Sequence, residues 1–461
     1  MSILAAFVVP HPPIILPEIG QGEQKKIQAT IDAYREAMRE AAELRPDTVV
    51  LTSPHALMYA DYFHISPGEK AEGDFGTFGH PEVRVEAEYD TEYVAELGRQ
   101  ISDASLAAGT MGERKPELDH GTMIPLRFLQ EYLPDVRLVR IGLSGLPPMD
   151  HYRLGQCIAR TAEKLGRRVV FIASGDLSHK LLAEGPYGFA PQGPEFDARC
   201  TAALAQGDFL SLLQMDANFC EAAAECGLRS FWIMAGALDK KAVEAKLLSY
   251  EGPFGVGYGV ASLFVQGEDG QRDFGTQFEA EKQCRLAARK AQEDPFVKLA
   301  RHSLETYVHT GSYALLPANL PAELLSRRAG AFVSLKKDGQ LRGCIGTIAA
   351  MQKNIAEEIL YNAVSAGVHD PRFSPVMPEE LSELVYSVDI LGEPEHIDDE
   401  RKLDVKRYGV IVEYAGRRGL LLPDLAGVDT PAKQIGIARG KAGIPSDAPV
   451  ELWRFEVVRH D

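Results

Sequence analysis

Cysteine is scarce in this chain of 461 residues: there are six, at positions 157, 200, 220, 226, 284 and 344, and no Cys-x-x-Cys pair among them. That pattern excludes a disulfide framework and suits a reducing, cytoplasmic setting. Positive charge is also in deficit, with 49 Lys and Arg against 66 Asp and Glu and a formal charge of −17. Nucleic acid and anionic membrane surfaces are therefore poor partners for it. Long hydrophobic runs are missing as well. The apolar start, Met1 to Val9, lacks a basic flank and runs straight into Pro10 and His11, so it reads as a first sheet strand rather than a targeting or membrane segment.

What is present is enough apolar residue, 45%, to pack a chain too long for one ordinary core. Residues 1 to about 265 alternate strand-like runs (3–9, 47–53, 136–143, 168–174, 245–250, 257–265) with helical spacing at 23–44, 92–107, 122–132, 151–165, 195–214 and 227–240. Such alternation predicts an α/β domain with a mainly parallel or mixed sheet covered by helices on both faces. From Gly267 to Asp294 the composition turns charged, and the reading places a linker there, between a domain of residues 1–266 and one of residues 295–461. The second domain shows a helix at 295–309, two strands joined by Asp338-Gly339, a helix at 352–367 and further strands to Val458, an α+β pattern.

Four of the twelve histidines stand at comparable places. His11 follows the run ending Val9-Pro10, His55 follows Ser53-Pro54, and His179 closes Ser174-Gly-Asp-Leu-Ser-His. His120 lies beside a glycine in Leu118-Asp-His-Gly-Thr. Ligands in open α/β sheets bind beyond the carboxyl ends of the strands, so imidazoles delivered there can converge across long sequence separations. A single histidine at a strand end is ordinarily a turn or core residue; four such loci point to a metal or catalytic site. No His-Glu-x-x-His spacing names the metal. The Gly-rich stretch Glu72–Gly79, near His64 and His80, reads as a surface loop, and Asp176 as a turn or capping residue.

Together Pro10-His11-Pro-Pro, Ser53-Pro-His55, Leu118-Asp-His120-Gly-Thr-Met-Ile-Pro-Leu126 and Ser174-Gly-Asp-Leu-Ser-His179 resemble class III extradiol ring-cleavage dioxygenases of the protocatechuate 4,5-dioxygenase β-subunit type, over about 1–265. The resemblance implies that His11 and His55 ligate a non-haem Fe(II), that His179 is the acid/base, and that His120 hydrogen-bonds a small aromatic, catechol-type substrate reacting with O₂. Two imidazoles and a carboxylate leave metal positions open for both reactants. The third ligand falls in Ala224-Glu225-Cys226-Gly227-Leu-Arg-Ser-Phe-Trp232, where the dioxygenases carry a glutamate. Neighbours on a regular helix diverge by about 100°, so one of Glu225 and Cys226 reaches the metal. Glu225 is the preferred reading. In the related Memo proteins a cysteine holds the position, and Cys226 would give a softer site that also accepts copper or zinc. That version implies a metal-binding or redox-regulatory protein without ring cleavage.

The second domain resembles the AMMECR family through Leu341-Arg-Gly-Cys-Ile-Gly-Thr347, His369-Asp-Pro-Arg-Phe373 and Gly419-Leu-Leu-Leu-Pro423. Arg342 holding an anion beside a nucleophilic Cys344 is one reading of the first motif; a packed Cys344 in a tight strand is the favoured one. The pairing of the two domains is similar to the AmmeMemoRadiSam system, which implies a radical S-adenosylmethionine protein as a separate partner. A homo-oligomer is left open.

Overall fold

A computed structural model describes residues 3–112, 117–425 and 427–461. The chain forms two compact units, Met1–Ala280 and Glu281–Asp461. Among the described residues no helix is long and apolar enough to cross a membrane.

The first unit is built on an eight-stranded sheet of β1 (Ile3–Val9), β2 (Thr48–Ser53), β3 (Lys70–Phe75), β4 (His80–Tyr89), β5 (Arg137–Gly142), β6 (Val169–Ser174), β7 (Lys241–Glu251) and β8 (Tyr258–Glu268), in the order β3-β4-β5-β2-β6-β1-β8-β7. The pairs β4/β5, β5/β2, β2/β6 and β6/β1 are parallel, and the outer pairs at both edges are antiparallel. The sheet is thus mixed, parallel at its centre. Its central strands read as continuous apolar runs because both faces are covered. Along β1, Ala6 and Val8 join one core while Ala5, Phe7 and Val9 join the other; Val50 opposes Val49 and Leu51 in the same way on β2.

Register explains the site. Val9 pairs with Ser174, Thr52 with Ala173, and Ser53 with Gly142, so the carboxyl ends of β1, β2 and β6 finish together along one edge of the sheet. His11, His55 and the Gly175–His179 turn all leave from that edge.

Three elements depart from the sequence reading. Glu72–Gly79 is not a loop: β3, a turn at Gly76–Phe78 and β4 form a hairpin at the sheet edge. Its glycines obscure the strand pattern. The helix expected over 195–214 is broken at Gly207, whose φ of +64° ends helix Gln192–Gln206 before a short helix Phe209–Leu213. The supposed linker 267–294 contains helix Phe274–Gln292, which the boundary between the units crosses. Of that helix only Gly275 is buried, and a solvated helix has the same charged composition as a linker.

The second unit carries a seven-stranded antiparallel sheet, with β9 (Ala331–Lys337), β10 (Gln340–Gly346), β11 (Val385–Leu391), β12 (Glu395–Ile397), β13 (Tyr408–Tyr414), β14 (Arg417–Leu421) and β15 (Glu451–His460). Helices Pro295–Thr310 and Ile355–Val368 pack with β9 and β11 around one core. The β9–β10 turn has Asp338 at φ 51° and Gly339 at 78°, the left-handed pair that a two-residue hairpin requires.

Candidate metal centre

His11, two residues beyond β1, is 2% exposed. Its Nδ1 lies 3.0 Å from Ser174 Oγ, and that hydroxyl donates at 2.7 Å to the carbonyl of Gly121. A hydroxyl has one proton, so toward His11 it is the acceptor; Nδ1 carries the imidazole proton and the Nε2 lone pair faces the cleft. Burial, followed by His55 beside it, lowers the His11 pKa to about 3, which keeps the ring neutral.

His55 Nε2 approaches His11 Nε2 at 3.0 Å, and Cys226 Sγ stands 3.7 Å from the same atom. The ligand atoms of His11, His55 and Cys226 all lie within 4.8 Å of one another. Separations of this size are ones that a single ion, with metal–nitrogen bonds of about 2.0–2.1 Å and a metal–sulfur bond of about 2.3 Å, would bridge. Two imidazoles and a thiolate suit iron, copper or zinc. The residues therefore fit a mononuclear transition metal.

Glu225 does not join them. Its Oε2 accepts a hydrogen bond at 2.7 Å from the amide of Leu228, the first residue of helix Leu228–Ala237. The carboxylate satisfies an orphan donor at the helix start. The regular-helix assumption fails here because Ala224 takes φ +53° and the helix begins only at Leu228, leaving Glu225 and Cys226 in the connecting turn. The preference for Glu225 is corrected accordingly: Cys226 is the residue brought to the two histidines. Burial, then the nearby Asp176 and Glu225 charges, pushes its thiol well above the ordinary range.

Glycine contacts place Cys226. A Cβ on Gly175 would lie 2.1 Å from Gly227 Cα, so backbone meets backbone there. Asp176 then ties three parts of the site together: its Oδ1 accepts from the His11 amide at 2.7 Å, its own amide donates to Cys226 Sγ at 3.3 Å, and its carbonyl accepts from the Cys226 amide at 3.4 Å. The orienting role read for it in the sequence matches these contacts, while burial raises its pKa to about 6.

His120 starts helix His120–Gln130, capped by Asp119, which accepts from the Thr122 amide at 3.0 Å. Asp119 also takes the Ser53 hydroxyl and a 2.8 Å ion pair from Arg140. Burial opposes its charge, but Arg140, Ser53 and Thr122 outweigh burial and hold it below the usual carboxylate range. The His120 ring lies 4.1 Å from that of His55 and 5.5 Å from that of His11. Burial and those two rings lower its pKa to about 3.

His179 and Tyr187 have ring centroids 5.1 Å apart, and His179 Nδ1 is a buried atom without a hydrogen-bond partner. These four histidines line a cleft of about 760 Å³ with Pro12, Phe78, Asp176, Tyr187, Phe254 and Tyr258 among its walls. Phe78, from the hairpin read as a loop, reaches within 5.4 Å of His120. The weaker candidates lie outside this lining: His64 is buried in a two-residue strand, and His80 pairs with Glu82 at 2.9 Å.

Asp197 escaped the sequence reading. It accepts from the Ser178 amide at 2.8 Å and the Tyr250 hydroxyl at 2.7 Å. Ser178 Oγ and the His179 amide both donate to the carbonyl of Ala223, which precedes the Cys226 turn. One buried carboxylate thus braces the segment carrying His179, which Ser178 and His179 in turn tie to the segment carrying Cys226. It sits in mid-helix without a motif around it, so nothing in the sequence marks it.

In the second unit the motif residues serve the backbone. Arg342 pairs through two 2.9 Å hydrogen bonds with Glu380, Asp370 accepts from the Cys344 amide at 2.9 Å, and Arg372 donates to the Cys344 carbonyl at 3.1 Å. Cys344 Sγ accepts from Ser334 at 3.2 Å. The carboxylate of Glu380 takes the place of the anion suggested for Arg342.

Residues 5–261 match the family described as the catalytic LigB subunit of aromatic ring-opening dioxygenase, and residues 297–460 match AMMECR1. A Clostridium acetobutylicum protein is 38% identical over 468 residues, covering 100% of this chain and 99% of its own. A Thermotoga maritima protein is 52% identical over 170 residues, 36% of this chain and 98% of that one. Among solved structures, an uncharacterized protein from Pyrococcus horikoshii is 33% identical with a TM-score of 0.34, covering 36% of this chain and 88% of that one.

Proposed function

Because the chain belongs to the LigB family of aromatic ring-opening dioxygenases, with an AMMECR1 domain behind the LigB domain, we propose that it is a cytoplasmic, metal-dependent oxidoreductase acting on a small catechol-type aromatic with O₂, its metal held by His11, His55 and Cys226. The convergence of those three donors at the mouth-facing end of the parallel strands carries the reading. Iron(II), when bound, would supply open positions for the substrate oxygens and O₂ and a path for electrons between them.

The chain's own residues do the rest. Ser174 keeps the His11 proton on Nδ1 and so leaves Nε2 to the metal. His179, in the wall of the cleft, is placed to take a phenolic proton and return it. His120, held neutral by burial and its neighbours, is suited to hydrogen-bond a substrate oxygen rather than to repel the metal. The aromatic and proline walls favour a flat ring.

Cys226 favours a second reading. A thiolate in the third position makes the site resemble the Memo version, a metal-binding or redox-regulatory protein that does not cleave rings. Reconstitution with Fe(II) under anaerobic conditions, followed by a catechol panel with O₂ uptake and yellow product as readouts, separates the two. Turnover lost in His179→Ala supports the oxidoreductase; tight metal binding with no O₂ consumption across the panel supports the second reading.

A further inference from the structure

The cleft is chemically lopsided. The described residues that line it include two carboxylates, Asp176 and Glu184, and no lysine or arginine. Asp176 is 6% exposed and committed to the His11 amide at the floor. Glu184 is exposed at the rim, and no ion pair or hydrogen bond engages its carboxylate among the described residues. Lys26 sits 5.9 Å from the Phe254 ring centroid and is already paired with Glu23 at 2.5 Å.

Glu184 belongs to a built wall rather than to a loose loop. Leu181 and Phe189 bridge across its base, Ala190 donates to the Lys180 carbonyl at 3.1 Å, and Leu181 donates to the Gly255 carbonyl at 3.1 Å. A Cβ on Gly185 would lie 3.2 Å from Gly255 Cα, so the 181–189 and 252–256 loops meet backbone to backbone. The wall presents an unpaired carboxylate, Glu184, three residues from Tyr187, whose ring is 60% exposed. A free carboxylate and an exposed aromatic ring on one cleft wall are the two groups that recognise an organic ammonium, through charge and through the ring quadrupole.

We propose that the cleft selects aromatic substrates with a cationic side arm, the ring directed toward the His11–His55–Cys226 centre and the ammonium held at the rim by Glu184 and Tyr187. This rests on the catechol reading above and assigns its charge class: aromatic acids, whose carboxylate would face Glu184, are disfavoured.

Isothermal titration of the full-length Zn(II)-loaded protein, kept anaerobic, tests it with three probes: dopamine (cationic), catechol (neutral) and protocatechuate (anionic). Dopamine is expected to bind about 5- to 30-fold more tightly than catechol, and protocatechuate more weakly than either. In Glu184→Gln the dopamine-to-catechol ratio should fall toward one, and added salt should erode the same ratio in the native chain. Protocatechuate binding as tightly as dopamine, or an unchanged ratio in Glu184→Gln, would overturn the charge assignment while leaving the catechol reading standing. If none of the three binds, the catechol reading fails and the charge class with it.

Discussion

Ser174→Ala is the sharpest perturbation of the metal centre because it replaces no proposed ligand and acts only through a partner of one. The serine is fully buried at the end of β6, and the substitution removes one oxygen. Two groups lose their partner, the Nδ1–H of His11 at 3.0 Å and the carbonyl of Gly121 at 2.7 Å. Each buried group left unsatisfied costs about 1–3 kcal/mol, within the roughly 5–15 kcal/mol stability of a domain, so the chain should still fold with a lowered Tm. The larger effect concerns the metal. With the hydroxyl gone, nothing keeps the imidazole proton on Nδ1, and tautomers carrying it on Nε2 cannot ligate. Loss of such an orienting partner lowers metal affinity by about 10- to 100-fold. Zn(II) affinity measured against a chromophoric chelator, with thermal unfolding in parallel, reads both effects. Thr161→Ala is the control, since it removes a buried hydroxyl bonded at 2.8 Å to Cys157 within helix Pro148–Leu165, outside the cleft lining. It should lower Tm with metal affinity unchanged. A Ser174→Ala protein that is destabilised but binds Zn(II) as the native chain does would refute the tautomer argument.

Other outcomes follow from the same geometry. Because burial and neighbouring carboxylates keep the Cys226 thiol protonated, Zn(II) binding at pH 7 should release about one proton from it; titration calorimetry in buffers of different ionisation enthalpy should show this release vanish in Cys226→Ser. His179→Ala should retain metal while turnover of any accepted substrate falls about 10²- to 10⁴-fold, and loss of metal instead would make His179 a ligand. Asp197 has its pKa raised by burial to about 6 in the folded chain against 3.8 as its ordinary value, so the native state holds the extra proton between these limits and this group's contribution to stability declines as pH rises through them. Asp197→Asn should flatten that part of the pH–stability profile and weaken Zn(II) binding by roughly tenfold, as expected for a lost outer support. A chain ending at Ala280 should fold and bind metal alone, whereas one ending at residue 266 should be less stable, because Phe274 and Phe278 pack against the first core; equal Tm values would count against that packing.

Much of the site was legible because strand ends leave a strong sequence signature. Apolar runs before His11 and His55 and the run closing at Ser174 mark three parallel strands, and parallel register does the rest by aligning their carboxyl ends. Glycines in Asp-His-Gly-Thr and in Ser-Gly-Asp-Leu-Ser-His signal close approach: a Cβ at Gly121 would stand 2.5 Å from Ser53 Oγ. What stayed hidden depended on tertiary neighbours. The hairpin that brings Phe78 to His120 has alternating burial on β4, but Gly73, Gly76 and Gly79 in β3 and the turn make the stretch mimic a loop. Helix Phe274–Gln292 fully buries only Gly275 and packs Phe274 and Phe278 against the first core, too short an apolar stripe to distinguish it from a linker. Asp197 acts through an amide and a hydroxyl contributed by other segments, which no local pattern encodes.

The choice between Glu225 and Cys226 shows where one-dimensional reasoning breaks. Helical phase allows one of two neighbours to face a site, but it applies only where there is a helix, and here the chain reverses through Ala224 in the left-handed region before the helix starts. In that turn each residue obeys a different demand. The unpaired amide of Leu228 needs an acceptor, which the longer Glu225 side chain supplies, while the contact of Gly175 with Gly227 draws Cys226 against Asp176 and His11. Exchanging the roles would leave the helix start uncapped and bury a second carboxylate next to Asp176, whose own pKa burial has already raised to about 6. A cysteine therefore suits this pocket better than a second carboxyl, because its thiol stays neutral beside Asp176 and Glu225 until a metal displaces the proton. Cys226→Asp, which places a carboxylate there without disturbing Glu225, should weaken Zn(II) binding because it exchanges a soft thiolate donor for a hard oxygen one; an affinity equal to the native chain's would show that the thiolate contributes nothing particular to the site.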